Sequence, residues 1–535
     1  MLELRGGAER VIRSLNNALG HVERHTDVVV IGGGIAGLIV AERLSRSHKV
    51  LVLESGPLKA HGEFDSLNLV EQFGDPYRAP NLGRSRGLGG TSSIWGGALL
   101  PFQEADFEAR PDLNRPAWPV GYTVLAPFFP EVERLFRLGE GAYDSIEGAL
   151  ARSDAPFVTR HAKWPTFAYR NVAAVLHGQL RLSKSLEVWV DATCAAFQFE
   201  QCAQGLRSVT ANSRGGKCLR ARARHFILAA GAIESTRLLQ WALAQPNAPR
   251  LPPECPLGPY LHDHISARLA EIETSQPIEL NRVAGIRFEG RMMRSFRLEL
   301  SSLAQRHLGI PGGFAHIAFE PLAPTGFEAL RSVMRGFQAR RFEARSFAKL
   351  LRNTPFLARA AYWRFAKGRL YWPRPARYDL HVVVEQHANI ANRISLSAKK
   401  DMFGVPLARV EWRMKDKDIA SFRGFSTCLD QFWLGSTLGQ LGCLRWREPP
   451  ADISRGSLGD AGDVYHPGGT TRMGDDRRTS VVDGDLTVWS VPNLSVISTS
   501  TFPSGASANP TMTLVAFGLR LAAHVKERLS RGPVS

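Results

Sequence analysis

The run Val28-Val29-Val30-Ile31 enters the glycine turn Gly32-Gly33-Gly34. A helical stretch containing Gly37 follows, and a second apolar run, Val50-Leu51-Val52-Leu53, stops on Glu54. No other feature of the chain leaves so few folds open: it spells a parallel β-α-β unit shaped around a dinucleotide. Gly32 permits the tight turn, and Gly34 lets the backbone approach a pyrophosphate. Gly37 lets the helix close on the strand, and the helix N-terminus faces the phosphates. Glu54 lies 22 positions beyond Gly32, where a carboxylate accepts the hydrogen bonds of an adenosine ribose. The bound molecule is then FAD or NAD(P), and redox chemistry is the expected activity.

The rest of the chain must complete that sheet. At 535 residues it has room for two or three domains, and with 44% hydrophobic and 22% charged residues it reads as globular. Residues 1–26 read as an N-terminal extension and 27–265 as the first part of a cofactor domain. Within the latter, 118–185 belongs partly to a cap or substrate region, and a helix there ends near Leu138. A small meander over 186–231 returns to the parallel sheet at Phe226-Ile227-Leu228, and a helix over 233–244 follows. From 266 to 454 the pattern changes to longer alternating strands, Asp379–Gln386 among them, which predicts an inserted substrate domain. Residues 455–535 return to the cofactor domain and end in a helix from Pro510 to about Leu529. The expected fold is α/β: a discontinuous Rossmann-like FAD-binding domain with an inserted α+β substrate domain on a large antiparallel sheet.

Three further blocks follow the first in order: Gly89-Gly90-Thr91-Ser92-Ser93-Ile94-Trp95-Gly96-Gly97; Ala229-Ala230-Gly231-Ala232-Ile233-Glu234-Ser235; and His466-Pro467-Gly468-Gly469-Thr470 with Asn509-Pro510-Thr511-Met512-Thr513. Together the four blocks resemble the glucose–methanol–choline (GMC) oxidoreductase family, in its bacterial dehydrogenase and pyranose-oxidase-like branch. The resemblance implies FAD, a Rossmann-like cofactor domain and a substrate sheet over the flavin. Small residues at Gly89, Gly90, Thr91, Ser92, Trp95 and Gly96 suit a loop that offers backbone N–H groups to the cofactor. A tight structural turn would use the same residues. Related pyranose oxidases carry a histidine covalently joined to flavin where this chain has Ile94, so non-covalent FAD is expected. Gly231 is expected near the cofactor phosphates, with close strand–helix packing as its other reading. Pro510 and Thr511 open the last helix, whose N-terminal partial positive charge suits the flavin edge.

His466 sits before Pro467-Gly468-Gly469, on a rigid turn rather than an apolar helix face. Matched to the family's HxxGT block, it is the expected base: oxidising an alcohol requires a group that takes the hydroxyl proton as hydride leaves carbon. Asn509 fills the family's His/Asn position and is expected to orient the substrate oxygen; its other role is that of a helix N-cap before proline. Glu385 and Gln386, at the end of a long strand, are candidate substrate contacts, with a role at the sheet edge as the alternative. His262 and His264 flank Asp263, but with no further ligand cluster no metal is expected.

The formal net charge is +17, and from Arg331 to Arg369 eleven Arg/Lys residues face one acid, Glu343, leaving +10 in that stretch. Phe337, Phe347, Tyr362, Trp363 and Phe365 interleave with the basic residues. The basic helical insertion, 327–373, is readable as a lid with a solvated face or as a helix that lies on an anionic membrane surface. No recognised nucleic-acid module accompanies it, so no nucleic-acid partner is expected. Six scattered cysteines, none in a CxxC pair, fit a reducing compartment. Residues 1–26 carry charges and no signal-like apolar run, and no stretch has bilayer length. The expected location is cytoplasmic, with peripheral attachment to the inner membrane face as a further option. The expected function is FAD-dependent oxidation of the CH–OH group of a sugar, polyol or lipid-linked alcohol. The electron acceptor is left open between oxygen, quinone and a partner protein. An FAD-containing lyase and a non-catalytic membrane-binding flavoprotein are the alternatives, and an NAD(P) site leaves the later blocks without a task.

Overall fold

The computed structural model describes residues 11–59, 65–144, 155–200, 205–323, 325–338 and 344–531. Its first sheet is built on the glycine-turn unit. Val22–Ile31 lies between Val50–Leu53 and Cys218–Leu228, parallel to both. Leu186–Val190 and then Ile12–Ser14 extend one side, and Val491–Val496 extends the other, all parallel. Such a sheet is buried on both faces, which explains the unbroken Val/Leu/Ile runs. Val28, Val29 and Val30 are fully buried. One face is covered by the helices Ile35–Ser45 and Thr511–Ser530, which pack on each other. Strands from both halves of the chain thus share one sheet. The sheet takes in more of the N-terminal segment than the sequence suggests: Ile12–Ser14 and the strand beginning at Val22 lie inside it. Their apolar residues are too few to register as strands, and pairing with Leu186–Val190 supplies the order.

The second sheet has eight strands and is antiparallel. Its path runs Arg287–Glu289, Met292–Leu300, Gly313–Pro321, Ala376–Glu385, His264–Glu273, Cys443–Trp446, and Phe157–Trp164 pairs with Met292–Leu300. Leu380, Val382 and Val384 share a core with Phe422, Phe425 and Leu429 of the helix Asp416–Leu434. By the two-residue period of a strand, Val383 and Glu385 lie on the opposite face. There Glu385 meets Gly505, in the loop that leads to the last helix. The sheet therefore roofs the end of the first domain where the glycine blocks gather. A third, three-stranded sheet joins Arg393–Lys400 and Pro406–Trp412 to Val70–Gly74.

Candidate active site

Gly32 has φ +110°, and a Cβ there would stand 2.5 Å from the Ala229 carbonyl oxygen. A Cβ on Gly37 would stand 2.0 Å from the Gly32 oxygen. Both contacts are with backbone, so strand, turn and helix fit only as glycine. Gly34 differs: a Cβ on it would meet nothing within 4 Å, and the nearest neighbour of a Cβ on Gly90 would be the Gly34 Cα, at 2.9 Å. The 89–97 loop thus closes on Gly34 but leaves open space beside it, a cleft with a backbone floor at a helix N-terminus. Its side chains are engaged elsewhere. Ser92 Oγ accepts from Val172 N at 3.0 Å, Trp95 Nε1 donates to the Arg170 carbonyl at 2.9 Å, and Gly96 backs onto the Trp164 ring. Thr91 Oγ1 reaches the Gly83 carbonyl at 3.4 Å. What Gly89–Gly97 has left to offer a ligand is main chain and the exposed Ile94 side chain.

Glu54 is buried and accepts three backbone N–H bonds: Gly33 N on Oε2 at 2.7 Å, and Gly56 N and Gly87 N on Oε1 at 2.8 and 3.1 Å. Burial outweighs those bonds and raises its carboxyl above the ordinary value. Oε2, with one donor, retains a lone pair for a ribose hydroxyl, while Oε1 is filled. Gly231, φ +79°, has open space where a Cβ would be and precedes the helix Ala232–Leu243. The glycine turn, open cleft and buried acid fit an adenine dinucleotide.

The four side chains Asn509, His466, His264 and Arg297 meet where the roof comes down on the first domain. His466 Nδ1 lies 3.1 Å from His264 Nδ1, and its Nε2 lies 3.3 Å from Asn509 Nδ2. Asn509 Oδ1 accepts from Arg297 Nη2 at 2.8 Å. His264 Nε2 lies 2.7 Å from the Ala506 carbonyl. Asp263 Oδ1 accepts the backbone N–H of both His466 and His264 at 2.8 Å, and Tyr77 donates to Oδ2 at 2.9 Å. Burial lowers the His466 imidazole well below the ordinary histidine value, and the Arg297 charge pushes the same way. It is therefore neutral near pH 7, the form a base requires. Burial also lowers Arg297 to about 10, leaving it cationic; its guanidinium stacks over Phe314 at 4.0 Å.

Asn509 does not act as an N-cap through its side chain. Pro510 takes the cap position of the last helix, with no side-chain cap bond, and the Asn509 amide is spent on Arg297 and His466. Glu385 accepts from Gly505 N at 2.8 Å and faces Arg115 at 3.5 Å. Burial would raise its carboxyl, but Arg115, His264 and His262 outweigh it and leave it below the ordinary value. Gln386 accepts from Trp412 Nε1 at 2.8 Å and donates to the Arg413 carbonyl at 3.0 Å. Both side chains thus brace protein. Asp263, His264 and His466 lie close enough to share an ion, but Asp263 Oδ1 already holds two N–H bonds and His264 Nε2 faces a carbonyl. Arg297, His264 and Tyr77 were not among the residues expected at the site. The available signal was a charged residue inside an apolar alternation, as in Phe296-Arg297-Leu298, and the His-Asp-His triplet at a strand start.

Residues 388–518, which include both His466 and Asn509, match the GMC oxidoreductase C-terminal family, and residues 30–58 match an NAD(P)-binding Rossmann-like domain. The chain is 26% identical to paromamine 6'-oxidase of Streptomyces fradiae over 94% of its own length and 91% of that protein's. This chain resembles the GMC oxidoreductases. A second relative, 6'''-hydroxyparomomycin C oxidase of Streptomyces lividus, is 23% identical over 96% of this chain and 93% of its own. Among solved structures a formate oxidase covers 96% of the chain and is itself fully covered, with TM-score 0.60 and 16% identity, a likeness of fold. Both relatives are named as oxidases, and the glycine turn, open cleft and buried Glu54 suit FAD as the dinucleotide.

Proposed function

We propose that this chain is a GMC oxidoreductase that oxidises the CH–OH group of a polar, polyhydroxylated alcohol, with His466 as the base and Asn509 as the group that orients the reacting oxygen. The observation that carries it is the pairing of a neutral imidazole with an amide N–H, 3.3 Å apart, under a sheet that contributes Arg297 and His264 to the same cluster. Gly32, Gly34, Glu54, Gly231 and the backbone of Gly89–Gly97 would hold FAD. When bound, FAD supplies the acceptor for the hydride that leaves carbon. The chain's own residues handle the proton: His466 Nε2 takes it from the hydroxyl, and Asn509 Nδ2 holds the oxygen that becomes a carbonyl. Burial keeps His466 uncharged until that moment. The test is anaerobic mixing of the yellow protein with a panel of sugars, polyols and long-chain alcohols. Bleaching of the flavin by at least one alcohol is expected; turnover without bleaching would point to lyase chemistry and contradict the proposal.

The proposal extends to where electrons and substrate are exchanged. Within 331–369 the described helices are Gly326–Gln338, Ala344–Leu351 and Thr354–Ala366; residues 339–343 of that stretch lie outside the described residues. Phe337, Leu351 and Tyr362 are exposed, and Phe365 is 83% exposed, all among arginines and lysines. Among the described residues no helix is long and apolar enough to cross a membrane. A basic surface with exposed aromatics instead suits an anionic bilayer, lying on it rather than through it. Gln338 Nε2 donates to the Ser92 and Trp95 carbonyls, at 3.2 and 2.8 Å, so this surface adjoins the cofactor loop. Membrane-held quinone is then the favoured acceptor over oxygen or a partner protein. Sedimentation with phosphatidylglycerol vesicles but not with phosphatidylcholine vesicles, reversed by salt, is expected; equal binding to both, or to neither, would refute it.

A further inference from the structure

Two fixed ends set the direction of every proton between them. A guanidinium only donates, and a main-chain carbonyl only accepts. From Arg297 the contacts run to Asn509 Oδ1 (2.8 Å), from Asn509 Nδ2 to His466 Nε2 (3.3 Å), from His466 Nδ1 to His264 Nδ1 (3.1 Å), and from His264 Nε2 to the Ala506 oxygen (2.7 Å). At the Arg297 end Asn509 must accept with its oxygen, so its N–H turns to His466 Nε2, which must be bare. At the Ala506 end His264 Nε2 must carry a hydrogen. A neutral imidazole carries one, so His264 Nδ1 is bare and must receive the Nδ1–H of His466. Both ends give the same answer.

We propose that His264 and Arg297 are positioning residues that together hold His466 in the tautomer with its hydrogen on Nδ1 and its lone pair on Nε2, facing Asn509. Left alone, a neutral histidine populates both tautomers, and the one with hydrogen on Nε2 cannot take a proton there. The chain removes that choice. It also prepares for the product state: once Nε2 is protonated, the Nδ1–H bond to His264 becomes charge-assisted and stronger. For this His264 must stay neutral. Burial lowers its value, Glu385 and Glu299 oppose, and Arg297 adds to the lowering. Asp263 faces both rings from the backbone side, holding the N–H of each residue.

The acceptor at the far end is itself held in place. Ala506 has φ +57°, a left-handed conformation that costs a non-glycine residue about 1 kcal/mol or more. Its neighbour Gly505 donates to Glu385 Oε1 at 2.8 Å, and Glu385 is the cross-strand partner of His264. Two opposed side chains on the roof therefore grip two consecutive residues of the loop that carries Asn509. The carbonyl is aimed at His264 at a conformational cost that packing must sustain.

The role of His466 as base rests on the function proposed above, whereas its tautomer can be read without any substrate. Protein labelled with ¹⁵N-histidine, compared with His466→Gln to assign the signal, reports which ring nitrogen carries hydrogen. The expected result is Nδ1–H on His466; hydrogen on Nε2 in the wild type would overturn the inference whatever the variants do. His264→Gln keeps a donor for Ala506 and loses the acceptor for His466, while His264→Asn does the reverse. His264→Gln is expected to release the His466 tautomer and slow anaerobic flavin reduction by about 10²-fold, in the range found for losing a base or its correct tautomer. His264→Asn should stay closer to wild type in both readouts. A role limited to bracing the loop predicts the opposite order, and that order would refute the proposal. Failure of every alcohol to bleach the flavin would refute the function alone and leave the tautomer result standing.

Discussion

Replacing Gly34 and Gly37 in turn by alanine separates the two jobs that glycine does in the first turn. A Cβ on Gly37 would lie 2.0 Å from the Gly32 oxygen and 3.2 Å from the Ala229 Cβ. A carbon and a carbonyl oxygen need about 3.3 Å, so the helix must back away from the turn by about 1 Å. Overpacking of that kind costs about 1–3 kcal/mol, and it displaces the helix N-terminus from the cleft. Gly37→Ala should therefore lower the melting temperature of cofactor-free protein and weaken FAD binding together. At Gly34 the backbone is ordinary, φ −83°, and the methyl would enter open space. Gly34→Ala should leave the cofactor-free melting temperature nearly unchanged, within about 0.5 kcal/mol of stability. It should still weaken FAD by about 10–100-fold, the equivalent of losing one or two charge-assisted bonds to phosphate. The assay is differential scanning fluorimetry of protein stripped of flavin, with FAD titrated by fluorescence quenching. If Gly34→Ala binds FAD as tightly as wild type, the cleft beside Gly34 is not the phosphate site.

Four other outcomes follow from the same geometry. Because burial and Arg297 lower the His466 imidazole, the base is neutral at and above the ordinary histidine value. The rate of flavin reduction, measured by stopped flow, should stay flat as pH falls through about 6.5, the ordinary histidine value, and drop only in more acidic solution. Arg297→Met removes one lowering charge, so the drop should move up toward 6.5; an unchanged profile would contradict the assignment. Arg237 joins Glu234 (2.7 Å) and Asp401 (2.5 Å) in the interior, so Arg237→Met takes the nearest cation from two buried carboxylates, leaving Glu234 only the more distant Arg84 and Arg86, and should cost up to about 3 kcal/mol, seen as a lower urea midpoint. Burial would raise Glu234, but Arg237, Arg86 and Arg84 outweigh it and hold it at about 2. Its contribution to stability is thus full above the ordinary glutamate value and is lost as pH falls toward 2.

The β-α-β unit was legible because its pattern is local: Val28–Ile31, the three glycines and Glu54 announce themselves within 27 residues. The last helix was legible for the same reason, from a proline start and sustained apolar periodicity to Ser530. The strand Ile12–Ser14 was not, since three half-buried residues have no period of their own and are ordered by a partner 176 positions away, as Ile12 pairs with Val188. The site divides in the same way. His466 and Asn509 stand in recognisable blocks, whereas Arg297 and His264 come from strands of the inserted sheet and acquire meaning only through long-range contact. Glu385 and Gln386 take the sheet-edge role that the sequence also offered, their atoms bonded to Gly505, Trp412 and Arg413.

The central claim is that His466 takes the substrate proton. Stopped-flow reduction of FAD-loaded His466→Gln by the best alcohol of the panel, without oxygen, measures it most directly. The account predicts a yellow, folded variant whose reduction is slower by about 10²–10⁴-fold. Reduction at the wild-type rate would contradict it.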